Sequence, residues 1–213
     1  MLNTLANHGY LPHDGKNISV EEFGDAVAAL NIHPDLGLVP AAFFANATKK
    51  ARFDLLDLNT PGIEQHLASL TRLDWDHAHA HPEPDSRRID DLLLDSRTDS
   101  LTIESLAISR LRLEDASIPR ELSPVEKSVA VTEAALLMAI MMDGTVPAAT
   151  ARTRPNLYSA PKQPVRIFLN DERFPVEHGW APPERLLRPA DIKPISDYIA
   201  DSMRRHRRDW FDH

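Results

Sequence analysis

The segment that most constrains the fold runs from Ser123 to Met142. Ser123-Pro124-Val125-Glu126 places a serine at a helix N-cap, a proline at the first helical position and a glutamate where it can bond back to the cap. From Ala134 onward the run is almost continuously apolar, and a helix that is apolar on every side must be a central one with neighbours all round. Asp143-Gly144 marks its end. Seventeen prolines against seven glycines, with the prolines clustered between periodic segments, describe many helices joined by stiff connections.

The other helical signals fit that picture. Ser19-Val20-Glu21-Glu22 is a capping box followed by Phe23, Val27 and Leu30 at helical spacing. Pro40 opens an apolar stretch from Ala41 to Ala51 that ends in Lys49, Lys50 and Arg52, charges suited to a helix C-terminus. Behind Pro61-Gly62, the residues Ile63, Leu67, Leu70 and Leu73 trace one helical face. Ser86–Leu94 and Ser100–Leu113 read as amphipathic helices, and Pro189 starts a last helix that finishes in Arg204, Arg205, Arg207 and Arg208. A Pro-rich loop is expected over about Thr145 to Pro164. Val165–Leu169 is the best strand candidate and fits a helix equally well. The expected architecture is one all-α domain over residues 1–213 with little or no sheet.

Several classes of function fall away at this level. With 24 Lys and Arg against 32 Asp and Glu, the formal charge is −8, which disfavours nucleic acid or an anionic membrane as the main partner. No apolar run approaches the roughly 20 residues of a membrane span, and Met1 leads straight into polar sequence rather than a signal peptide, so a cytoplasmic location is expected. There is no cysteine, hence no disulfide, no thiolate nucleophile and no thiolate metal ligand within these residues.

Four blocks carry a resemblance. They are Leu2-Asn3-Thr4-Leu5-Ala6-Asn7-His8-Gly9-Tyr10-Leu11-Pro12 with Asp14-Gly15-Lys16-Asn17-Ile18; Phe53–Asn59 leading to Ser69-Leu70-Thr71-Arg72-Leu73-Asp74; Glu133-Ala134-Ala135-Leu136-Leu137; and Val165–Pro175 continuing to Gly179-Trp180. In this order they resemble the haem-thiolate peroxidases, the chloroperoxidase and unspecific peroxygenase family common in fungi. The resemblance implies a mostly helical fold around a haem.

Two departures bear on that implication. The family's Pro-Cys-Pro haem ligand would precede Leu2, where Met1 stands, and the thiolate that favours O–O cleavage has no neutral substitute. In the family's Glu-His-Asp block, which holds a Mg²⁺ beside a haem propionate, His66 matches the histidine while the carboxylates become Gln65 and Leu67, a poor donor set for a hard dication. What the resemblance leaves is an acid–base pair: His66, with Glu133 on the central helix. Glu133 stands where that helix turns apolar, and desolvation favours the neutral acid needed for proton donation. Glu126, seven residues earlier and nearly on the same face, is the runner-up, although its capping position accounts for it.

Other chemistry-bearing residues have plainer readings. His77, His79 and His81 have a spacing known for zinc, but the loop in which they lie is a common place for adventitious metal. His8 is expected to be a buried structural hydrogen-bonder, Glu172-Arg173 an ion pair, and the terminal arginines a solvated helix end. The leading expectation is therefore a haem-independent acid–base enzyme of isomerase, lyase or cyclase type, without cofactor or metal. It would act on a bulky apolar small molecule of fungal secondary metabolism and use His66 and Glu133 as catalytic residues. The alternatives are a haem-dependent peroxidase, peroxygenase or haloperoxidase whose ligand segment lies outside these residues, and a non-catalytic binding relative.

Overall fold

The computed structural model describes residues 1–60, 66–74, 81, 83–117, 122–142 and 154–211, with side chains described to residue 208. In chain order the elements are α1 (Leu2–Asn7), β1 (Ile18–Ser19), α2 (Val20–Ala28), α3 (Asp35–Thr48), β2 (Arg52–Phe53), α4 (Ser86–Leu94), β3 (Ser100–Thr102), α5 (Ile103–Ala116), α6 (Pro124–Met141), β4 (Ser159–Pro161), α7 (Lys162–Asn170) and α8 (Pro189–Phe211). A 3₁₀ turn covers Leu55–Asn59. The only sheets among the described residues are two antiparallel pairs, β1 with β2 (Ile18 opposite Phe53) and β3 with β4 (Leu101 opposite Ala160). The all-α expectation holds.

The central helix forms as its sequence dictates. The Ser123 hydroxyl accepts from the Glu126 amide, and the Glu126 carboxylate accepts from the Ser123 amide at 2.8 Å, which satisfies two N-terminal amides reciprocally. Glu126 is thus a cap. Along α6, Ala134, Ala135 and Met138 are wholly buried in one contiguous core, where α5 and α8 pack alongside. The same capping logic starts α2 at Ser19 and α5 at Thr102. Where α2 crosses α3, both helices present glycine: a Cβ on Gly24 would lie 2.5 Å from the Leu38 side chain, and one on Gly37 2.9 Å from Val27.

Elsewhere local signals are overridden. Helix α3 starts five residues before Pro40, because the Pro34 carbonyl accepts the amides of both Gly37 and Leu38; Pro40 lies inside it. The stretch expected to be helical from Ile63 to Leu73 is not helical over its described part, 66–73. Side chains take its backbone groups instead: the Ala68 amide donates to Asp74, the Ala68 carbonyl accepts from Arg110, and the carbonyls of Ser69 and Arg72 accept from Arg88. At Ser100 the chain first makes β3, so the helix begins only at Ile103. Val165–Leu169 belongs to helix α7, which buries Val165 and Phe168 and faces Arg166 outward. Of the expected Pro-rich loop, 145–153 lies outside the described residues, as does Asp143-Gly144; the remainder forms β4 and the start of α7.

Candidate active site

Helix α6 builds one wall of a cavity of about 420 Å³, within the usual range for small-molecule sites. Glu133, Leu136, Leu137 and Ile140 all line it, and their i, i+3, i+4, i+7 spacing is one stripe of the helix. The face away from the cavity carries the buried alanines of the core. This explains an apolar composition all round: one side packs, the other faces a void. Met1 with Leu2 and Asn3 of α1, Leu55 and Leu58 of the 3₁₀ turn, and Phe168 and Leu169 of α7 close other sides, while His66, Ser69, Leu70, Thr71 and Arg72 come from the irregular loop. Leucine is the commonest lining residue, and polar groups come from the loop and from Asn3, Asn59, Glu83 and Glu133.

His66 and Glu133, 67 positions apart, meet there. The His66 Nε2 lies 2.8 Å from Glu133 Oε2, and its Nδ1 lies 2.6 Å from the Leu67 carbonyl oxygen. A carbonyl only accepts, so Nδ1 carries a proton, and the tautomer is fixed. The second nitrogen then shares one proton with the carboxylate. Burial alone would lower the His66 pKa, but the hydrogen bond and charge of Glu133, helped by the Leu67 carbonyl, outweigh both burial and the opposing charge of Arg110; the net displacement is upward. The imidazole is 8% exposed and the Glu133 side chain 35%. Glu133 is therefore more open than its apolar run implied, and it is the member of the pair that a ligand would meet.

Arg110 went unnoticed in the sequence. It is the largest wholly buried side chain, and its Nη1 donates to the Ala68 carbonyl at 2.5 Å. Its only sequence signal is a charge within the Leu106–Leu113 segment, where α5 is buried on several sides.

The remaining candidates are placed as follows. His77 and His79 lie outside the described residues; His81 is half-buried. His8 is exposed rather than buried, because α1 ends before it, yet it does act as a hydrogen-bonder: its Nε2 accepts from the Phe174 amide at 3.0 Å. Glu172 pairs with Asn3 and Arg72, whereas Arg173 reaches Asp171 and Glu177, so no Glu172–Arg173 pair forms. The exposed Glu172 to Asn7 link through its carbonyl ties α1 to the end of α7. Arg207 is not simply solvated; it reaches Glu114 at 2.6 Å.

A sequence model of the family described as "Peroxidase, family 2" matches residues 1–185. The chain belongs to that family. It is also similar to the chloroperoxidase of Leptoxyphium fumago, 26% identical over an alignment of 214 positions that covers 85% of this chain and 53% of that protein. The chain thus spans about half the length of that relative. The family implies a haem, and the donors lining this cavity fit one poorly. Both nitrogens of His66 are engaged, no cysteine occurs in the 213 residues, and the histidine's neighbour is the buried Leu67 in place of a carboxylate. A thiolate would have to come from outside these residues.

Proposed function

We propose that this chain is a proton-transfer enzyme acting, without haem, on a bulky apolar small molecule through His66 and Glu133. The single observation that carries the reading is the doubly anchored imidazole. With Nδ1–H donated to Leu67 and Nε2 facing Glu133, the pair holds one movable proton beside a leucine-walled cavity. Glu133 takes a proton from the ligand while His66 retains or returns the shared one; removal at one atom and delivery at another yields an isomerisation, dehydration or ring closure. Each is redox-neutral, and general acid–base catalysis of this kind contributes about 10²–10⁴-fold.

A generic probe makes this testable before a substrate is known. In 5-nitrobenzisoxazole a base removes the ring C–H, its electron pair forms the nitrile, and the N–O bond breaks to release a coloured phenolate. The expected result is saturable elimination that falls about 10²-fold or more in Glu133→Gln and His66→Ala. Elimination that both variants leave intact contradicts the assignment.

The second reading is a haem-dependent oxidoreductase, and family membership is the observation in its favour. It predicts that added haemin binds with an intense band at about 400 nm, through an axial donor, and confers peroxide-dependent oxidation.

A further inference from the structure

We propose that Arg110 is the positioning residue of the His66–Glu133 pair, holding from behind the turn that fixes the imidazole in one tautomer. Ala68 adopts a left-handed backbone at φ +58°, a conformation that costs a non-glycine residue on the order of 1 kcal/mol and persists where its surroundings over-determine it. Here both backbone groups of Ala68 are captured by charged side chains, the carbonyl by Arg110 and the amide by Asp74 at 2.9 Å. Asp74 is itself held by Arg88 at 3.0 Å and by the Ser117 hydroxyl. The residue directly before this turn is Leu67, whose carbonyl accepts the His66 Nδ1 proton. Release of Ala68 would let that carbonyl rotate away and free the Nδ1 proton that it holds.

The setting of Arg110 supports a role beyond packing. It is wholly buried, Nε and Nη2 have no hydrogen-bond partner, and the nearest carboxylate oxygen, Glu114 Oε1, lies 3.8 Å away without a partner of its own. A cation buried with so few bonds is expensive to keep, whereas a leucine would fill α5 more cheaply. The charged groups around the pair are Arg72 and Glu83 of the cavity lining, Asp74 of the loop, Arg88 of α4, Arg110 and Glu114 of α5, and Arg207 of α8 behind Glu114. Among them only Arg110 bonds the turn next to Leu67 from the core side.

The role in turnover rests on the proton-transfer reading; the role in fixing the tautomer does not. The experiment is imidazole nitrogen NMR of the full chain combined with the benzisoxazole assay. The variants are Arg110→Lys, which keeps the charge and loses the fork, and the double variant Arg110→Met with Glu114→Leu, which removes both buried charges together so that the fold is retained. In both variants His66 should lose its single tautomer, with Nδ1–H exchange faster by about tenfold or more, the equivalent of a lost hydrogen bond to a charged group. Elimination should fall through kcat by about tenfold, with KM changed less than about twofold, as expected when orientation rather than binding is lost. A folded variant with the wild-type tautomer and exchange rate overturns the proposal, even if turnover drops. If the wild type shows no elimination while the tautomer still depends on Arg110, the positioning role stands and the proposed function fails.

Discussion

Among the described residues two His–Glu pairs are hydrogen-bonded, and they differ in almost everything except their residue types. His66 and Glu133 meet across the cavity wall at 2.8 Å; His206 of α8 and Glu104 of α5 meet on the outside at 2.5 Å. In the inner pair the second imidazole nitrogen is committed to a carbonyl and the ring is only 8% exposed. In the outer pair Glu104 is 56% exposed and also accepts from Ser202. Composition alone therefore does not make a proton-transfer device. What distinguishes the inner pair is a locked tautomer, a low-dielectric wall and a void for a ligand.

The largest expected difference is catalytic. Glu133→Gln should lower elimination of the benzisoxazole probe by about 10²–10⁴-fold, whereas Glu104→Gln should change it less than about twofold, since that group is not among those lining the cavity of His66 and Glu133. Equal losses would dissolve the distinction between the pairs.

Stability separates the regions next. Arg110→Met alone leaves Glu114 buried with one oxygen unpaired and should cost about 3–5 kcal/mol, read as a drop in the urea midpoint. Asp90→Ala breaks an ion pair to Arg166 whose partners are both half-exposed, and should cost about 0–1 kcal/mol.

The pH dependence should then have opposite signs. His66 titrates above the ordinary imidazole value of about 6.5, so its contribution to stability is fully present below that value and is lost as pH rises through the raised folded one. For Glu104, burial alone would raise the pKa, but bonds from Ser202 and His206 and the charge of Arg205 take it below the usual carboxylate value. Its contribution is present above the unfolded value and lost as pH falls through the folded one. Urea unfolding of wild type against His66→Gln should diverge below neutral pH and converge on the alkaline side; wild type against Glu104→Gln should converge in acid. A modest effect is expected for Ser202→Ala, which removes one donor to Glu104 and should cost about 0.5–1.5 kcal/mol.

The sequence carried the fold unevenly, and the two pairs show why. Helices with an N-cap and a capping box, such as α2 and α6, or with a strong apolar face, such as α4, are legible because their signals are local. The loop carrying His66 was not: Ile63, Leu67, Leu70 and Leu73 have a helical period, yet distant side chains, Arg110, Arg88 and Asp74, take the backbone groups a helix would use. In α3, Pro40 looked like a start because nothing local shows that Pro34 accepts two amides. The His66–Glu133 juxtaposition could be anticipated only from the family resemblance, since no periodicity links positions so far apart. Arg110 left almost no trace, because a buried cation and a solvated one look alike in a helical sequence.

The account stands or falls on whether the inner pair moves protons without iron, and one sample decides it. Purified full chain is assayed for benzisoxazole elimination before and after equimolar haemin. The account predicts turnover from the outset that depends on Glu133, no band at about 400 nm beyond that of free haemin and no gain on addition. Turnover that is absent at first and appears only with haemin, together with that band, would contradict it.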